Sequence, residues 1–370
     1  MTRALEGVDA YALDTEFHRE RTYYPHLALM QIGWDEGATS VEVLVDTLAV
    51  DPAPLGGVLG GPGLCVMHAA DQDLEILELN CGRVPMHLAD TQVAGRFLGF
   101  GTASLDSLLR SVLGVKLPKA DQLTDWTRRP LSSTAREYAA ADVEHLLELD
   151  AALDGRLERV GRASWADEEV EELRSKPRTQ RDPLTAWWRL KGSRKLRGRA
   201  RGVAQEVAAW RERTAAAEDR PVRFVLPDLA LLGIAGRPPH SVDELRAVRG
   251  LDGRHTRKSA ATEILDAISR GEVLTGDELR LPPVTEGERA PKAVVSLALA
   301  WIAHRADELD LDPTLIATRD DVNALLGGGP DSRLRYGWRH EVAGATVQAL
   351  AGGHLAVAPD GDGGLRLVEV

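Results

Sequence analysis

The chain is expected to fold as an α/β domain built on a mixed sheet, followed by two all-helical units. Three observations predict this. A length of 370 residues exceeds what one hydrophobic core usually supports, so two or three domains are expected. Short strand-like runs crowd the chain before Asp71 and then alternate with helical patterns. From about Asp167 the strand signal almost vanishes, and prolines punctuate one helical pattern after another.

In order, Tyr11–Phe17, Leu27–Trp34 and Val41–Val45 are apolar and strand-like, and Asp35-Glu36-Gly37 supplies a turn between the last two. A Pro/Gly-rich passage from Asp51 to Gly63 leads into a fourth strand, Leu64–His68. Helical spacing follows at Asp71–Leu79, Gln92–Leu98, Ser104–Leu113 and Ser132–Leu157. The domain boundaries that result are 1–165 for the α/β domain, 180–282 for the first helical unit and 290–357 for the second. Pro282-Pro283 and the polar stretch to Pro291 form the linker, and the Gly/Asp-rich stretch from Pro359 to Gly364 reads as a turn before a short terminal strand.

Composition narrows the functional classes. With 44% hydrophobic and 28% charged residues, the chain reads as an ordinary soluble globular protein. The longest apolar stretch, Val294–Ala303, is too short to span a bilayer. Glu6, Asp9 and Asp14 stand where an export signal would need an apolar core, and Cys65 and Cys81 suggest neither a zinc site nor a disulfide framework. A cytoplasmic location is expected. The net charge of −12 argues at first against a nucleic-acid partner, but its distribution does not. Residues 1–160 hold 13 Lys/Arg against 25 Asp/Glu, a balance of −12, whereas residues 174–270 hold 22 against 11, a balance of +11. That asymmetry fits an acidic, metal-binding unit joined to a basic, nucleic-acid-binding one; two solvated surfaces of opposite sign are the plainer alternative.

The acids form a pattern. Asp14 and Glu16 lie two apart on a strand and therefore share a face. Asp71 and Asp73 open a helix after the fourth strand, where the helix dipole alone would favour them. In "EYAAADVEHLLEL" a turn of about 100° per residue puts Asp142 within the apolar arc of Tyr138, Leu146 and Leu149. Glu137, Glu144 and Glu148 take the opposite face. A carboxylate turned toward a core is costly unless it is paired or binds metal. Acids converging from three elements, with few nearby cations, point to hard divalent ions such as Mg²⁺ or Mn²⁺. Two such ions can activate a water and stabilise the leaving oxygen of a phosphodiester.

These segments resemble the bacterial ribonuclease D family, within the superfamily of 3′–5′ exonucleases named for four acidic ligands. The likeness is carried by "ALDTEFHRERTYYPHLALMQI", "HAADQDLEIL" and "EYAAADVEHLL", with "LADTQVAGRFLG" and "TDWTRRPLS" between. It continues through "FVLPDLALLGIAGRPPHSVDELRAVRGL" into helical units like the helicase-and-ribonuclease-D C-terminal (HRDC) domain. The resemblance implies a ribonuclease H-like exonuclease domain followed by two HRDC-type domains. It implies metal ligation by Asp14, Glu16, Asp73 and Asp142, two divalent ions, and a Tyr138 that orients and helps deprotonate the attacking water. Its implied reaction releases 5′-monophosphates from RNA 3′ ends, with tRNA precursors and other structured RNA as substrates and a monomer as the working form. A DNA 3′–5′ exonuclease, or a non-catalytic nucleic-acid-binding protein on the same fold, would share these motifs.

Several further residues are candidates for substrate contact. Tyr23 and Tyr24 offer aromatic faces for a 3′-terminal base, or else form a turn packed on the core. Lys119, Arg128 and Arg129 flank "DQLTDW" and either meet phosphates or solvate a loop. His68 reads as a hydrogen-bonded core histidine. Arg194, Lys195, Arg197 and Arg199 lie in a basic run that no acid interrupts, beside Trp187 and Trp188, which read as core anchors.

Overall fold

The computed structural model describes residues 1–37, 39–118, 124–178, 182–282, 290–329 and 332–370. Among them two compact units are distinguished. One comprises Met1–Glu16, Leu27–Lys176 and Thr285–Val370; the other comprises Phe17–His26 and Pro177–Val284.

The first unit is built on a five-stranded mixed sheet in the order β3-β2-β1-β4-β5. The strands are β1 (Ala10–His18), β2 (His26–Glu36), β3 (Thr39–Val45), β4 (Leu64–Met67) and β5 (His87–Asp90). β2 and β3 form an antiparallel hairpin in which Met30 faces Val45 and Trp34 faces Val41. β1 runs parallel to β4 with Tyr11 opposite Cys65, and β4 runs parallel to β5 with Val66 opposite Ala89. Leu27 through Trp34 are all buried, so β2 is covered on both faces, and this is why its sequence is nearly continuous rather than alternating.

β5 was not expected from the sequence. Its four residues, "HLAD", carry two polar side chains and too little length for a period to emerge. The single helix expected over Ser132–Leu157 is two helices, Ser133–Glu144 and Leu146–Arg159, broken at His145, whose φ is −111°. The short terminal strand is one arm of a hairpin, Leu355–Pro359 against Leu365–Glu369.

Within this unit one apolar core runs from Ala12 and Val66 of the sheet through Phe97, Leu108 and Val143 to Leu149, Leu153 and Val170. It continues without interruption into Ile302, Ile316, Trp338 and Val347. The segment expected as a separate helical unit over 290–357 thus shares its core with the sheet. The rings of Phe97, Trp165 and Trp338 join the two parts, with Trp165 stacked on Trp338 at 5.2 Å between centroids.

The second unit has its own core, in which Trp187, Val203, Val207, Leu231, Ile234, Ile264 and Ile268 are buried together. Its Arg199–Ala217 and Lys258–Val273 helices cross at Gly202 and Gly271. A Cβ on Gly202 would stand 2.2 Å from the Gly271 carbonyl oxygen, and one on Gly271 would stand 2.5 Å from the Val203 Cα. Only glycine permits this approach. Trp187 and Trp188 both donate their indole N–H to the Arg280 carbonyl, at 3.2 and 2.8 Å.

Candidate active site

β1 carries Asp14 and Glu16 to one face of the sheet, and the Ser133–Glu144 helix lays Asp142 beside them. One carboxylate oxygen from each of the three lies within 4.8 Å of the others. Gly33 of β2 is what lets that helix come close, because a Cβ there would stand only 3.3 Å from the Val143 carbonyl oxygen. Ser132 starts the helix by accepting a hydrogen bond from the Ala135 N–H at 3.1 Å. Tyr138 sits one turn before Asp142 on the same helix, close enough for the Asp142 carboxylate to add to burial in raising the pKa of the phenol.

Asp73 arrives from a third element, the first turn of the Asp71–Cys81 helix, and is 7% exposed. The hydroxyl of Thr15, between Asp14 and Glu16 on β1, donates to Asp73 Oδ1. The fourth acid is thereby tied directly to the strand that bears the first two.

The electrostatics of this cluster are those of a cation site. Burial, followed by repulsion from Asp73, Asp142 and Glu16, drives the Asp14 carboxyl well above the usual range. Burial, then Asp142 and Asp73, pushes Glu16 up to about 8. Burial raises Asp142 to about 7 and Asp73 to about 6. Tyr138 is raised as well, by burial and then by the carboxylates of Asp142, Glu16 and Asp14. The charges that raise Asp14 are the carboxylates of Asp73, Asp142 and Glu16, and those that raise Glu16 are the carboxylates of Asp142 and Asp73. Like charges held this close favour protonation unless a cation compensates them, and an all-oxygen donor set suits hard divalent ions. The residues present therefore fit divalent metal.

One residue that fixes this geometry was not among the sequence candidates. The Asp90 carboxylate, at the end of β5, accepts four backbone N–H bonds: from Ala69 at 3.0 Å, Ala70 at 2.8 Å, Gln92 at 2.8 Å and Val93 at 3.3 Å. It holds the entrances of two helices at once, including the one that presents Asp73. Ala69 has a φ of 58°, unusual for alanine, and the hydrogen bond from its N–H to Asp90 helps to hold that turn. An Asp immediately before a helical run, as in "LADTQVAG", is the N-cap signal that could have found it. His68 is half-buried, its Nδ1 is 2.9 Å from Thr91 Oγ1, and burial lowers its pKa.

The remaining candidates are distributed elsewhere. Tyr23 and Tyr24 belong to the second unit, where both backbone N–H groups donate to Asp219 at 3.0 Å and the Tyr23 hydroxyl donates to Glu212 at 2.9 Å. Tyr24 is 46% exposed and meets the Tyr23 ring edge-on at 4.9 Å. Arg194, Lys195, Arg197 and Arg199 are all exposed at the start of that unit's longest helix. Arg197 donates to the Arg194 and Leu196 carbonyls at 2.6 and 2.8 Å, which orders the run without neutralising it. Lys119 lies outside the described residues.

Residues 1–158 match the 3′–5′ exonuclease family and residues 200–268 match the HRDC domain. Ribonuclease D of Gluconacetobacter diazotrophicus is 40% identical over 95% of this chain and 89% of its own length. Ribonuclease D of a Jannaschia species is 37% identical over 97% of this chain and 94% of its own. Among solved structures, Escherichia coli RNase D, described as an exoribonuclease involved in structured RNA processing, superposes with a TM-score of 0.85 at 30% identity, covering 95% of both chains. With acids converging from β1 and two helices, and full-length relatives of this identity, the chain belongs to the ribonuclease D family and is a 3′–5′ exoribonuclease.

Proposed function

We propose that Asp14, Glu16, Asp73 and Asp142 hold two divalent ions, Mg²⁺ or Mn²⁺, and that Tyr138 orients the attacking water on the scissile phosphate. The observation that carries this reading is the meeting of three carboxylates within 4.8 Å, where neighbouring carboxylates add to burial in raising the pKa of both Asp14 and Glu16. When bound, the ions lower the pKa of the water and neutralise charge developing on the phosphate oxygens. Tyr138, one turn before Asp142, accepts a hydrogen bond from that water and directs its lone pair. Thr15 keeps Asp73 in register with β1, and Asp90 keeps the helix under Asp73 from shifting. The products are 5′-mononucleotides.

The substrates are tRNA precursors and other structured RNA 3′ ends, and the protein works as a cytoplasmic monomer. Support for the substrate class comes from the basic second unit, whose exposed Arg194, Lys195, Arg197 and Arg199 match the phosphates of a longer RNA body. Among the described residues no helix is long and apolar enough to cross a membrane.

A time course on 5′-labelled tRNA precursor and matched DNA, with Mg²⁺, Mn²⁺ or EDTA, tests the whole reading. A ladder shortening from the 3′ end, blocked by EDTA and by a 3′-terminal phosphate, is expected. Cleavage of circular RNA, full activity in chelator, or faster turnover of DNA would refute it.

A further inference from the structure

Arg129 is one of three basic residues beside "DQLTDW" that the sequence offers as phosphate ligands. Its guanidinium is already fully engaged. Nε donates to Asp46 Oδ2 at 2.7 Å, and Nη2 donates to Asp46 Oδ1 at 2.6 Å and to the Ala28 carbonyl at 2.8 Å. Nη1 donates to the Trp126 carbonyl at 2.7 Å and the Arg128 carbonyl at 2.9 Å. These are five hydrogen bonds for the five N–H groups of an arginine, leaving none to offer a phosphate. Two of the partners lie in its own loop, one is the backbone of β2, and the last is the acid just after β3. The residue staples the loop to the sheet.

What the staple holds is the approach to the active site. Three residues after Arg129, Ser132 caps the helix that presents Tyr138 and Asp142. Three residues before it, Trp126 lies against Tyr138, with ring centroids 6.3 Å apart and planes inclined by 32°. That separation is within the range of a favourable aromatic pair. Trp126 thus constrains the Tyr138 side chain at its ring, one turn before Asp142 on the same helix.

We propose that Arg129, through its bidentate pair with Asp46, is a positioning residue for Tyr138: it seats Trp126 and fixes the start of the helix, and makes no contact with RNA. Misplacement by a fraction of an ångström at a water-orienting group lowers the chemical rate while leaving the binding of the RNA body intact. A phosphate ligand behaves in the opposite way. Its removal weakens binding and flattens the salt dependence by about 0.7 in slope for each single-strand phosphate it neutralised.

The test uses the full chain and four variants: Arg129→Gln, Asp46→Asn, the double variant, and Trp126→Phe. Single-turnover rates at saturating RNA are read beside RNA affinity in EDTA at several salt concentrations, with thermal unfolding as the check on folding. Arg129→Gln and Asp46→Asn should each slow the chemical step by about tenfold or more, with affinity and salt slope unchanged. The double variant should be no slower than the worse single one, because both remove the same staple. Trp126→Phe, which keeps a smaller ring, should lose less. If Arg129→Gln does not fold, Asp46→Asn decides alone: it removes an acid, so an RNA-contact role for Arg129 would leave its chemical rate at the wild-type value. That result, or a flattened salt slope with an unchanged rate in Arg129→Gln, overturns the proposal.

Discussion

The acidic and basic regions of this chain carry charge in opposite ways. Residues 1–160, at −12, include acids placed where water is scarce: Asp73 and Asp142 are 7% and 8% exposed. Residues 174–270, at +11, carry bases on the surface, where Arg194, Lys195, Arg197 and Arg199 are all exposed. Buried like charges are expensive and must be compensated by a specific cation at a specific place. Exposed charges cost little and attract a polyanion from any direction, with a strength that salt controls. If the proposed roles hold, chemistry and capture are separated: one region needs geometry, the other only sign.

The sharpest way to break this contrast is to remove one acid. Asp14→Asn or Asp142→Asn should abolish hydrolysis, a loss of ~10³-fold or more, as expected if two-metal stabilisation is lost. Calorimetric titration of the variant with Mn²⁺ should show weaker uptake than the wild type. A folded variant that cleaves RNA at the wild-type rate would sink the metal assignment. Tyr138→Phe comes next. A general base typically contributes ~10²–10⁴-fold, and the loss should sit at the low end because the ions still activate the water. An undiminished rate removes Tyr138 from the reaction.

On the basic side the effect is milder and of another kind. Replacing Arg194, Lys195, Arg197 and Arg199 by Ala should weaken binding of long RNA and reduce the salt slope by about 0.7 for each phosphate no longer neutralised. Hydrolysis of a dinucleotide should hardly change. Equal losses on dinucleotide and tRNA precursor would erase the distinction between the two regions.

The smallest effect is on stability. Glu16, Asp142 and Asp73 have folded-state pKa values raised to about 8, 7 and 6, above those of free carboxyls. A group raised in this way contributes stability that is complete below its unfolded pKa and is lost as pH climbs through the folded value. In EDTA the contribution of these acids to the melting temperature should therefore decline from about pH 4 to about pH 8. The difference in melting temperature between wild type and Asp142→Asn, followed over that range, isolates it. Added Mn²⁺ should cancel the decline, and a difference that stays flat with pH in EDTA would show that burial does not raise the Asp142 carboxyl.

Much of the site was legible because it violates a rule of soluble sequences. Asp142 stood on the wrong face of its helix, and Asp14 and Glu16 stood together on an apolar strand, so both stood out before any coordinates. Charge counting likewise exposed the basic region. Residues that obey the rules while serving the site stayed silent. Asp90 looks like any helix cap, yet its carboxylate anchors two helices. Arg129 looks like a surface base, yet all its donors are spent on the fold. Tyr23 looks like a stacking platform, and its hydroxyl is hydrogen-bonded to Glu212, 189 residues away in sequence.

By itself, then, the sequence determined the mixed α/β character of the first region, the helical character of the rest, the sign of each, and the standing of Asp14, Glu16 and Asp142 as acids in apolar surroundings. Those follow from periodicity, composition and the cost of burying charge, all of which are local properties of a chain. Only the tertiary structure decided that Thr15 ties Asp73 to β1, that the helix breaks at His145, and that the C-terminal segment through Trp338 and Val347 shares a core with the sheet. Each of these depends on which distant side chain fills a given space, and apolar residues that could pack against many partners carry no mark of the one they meet.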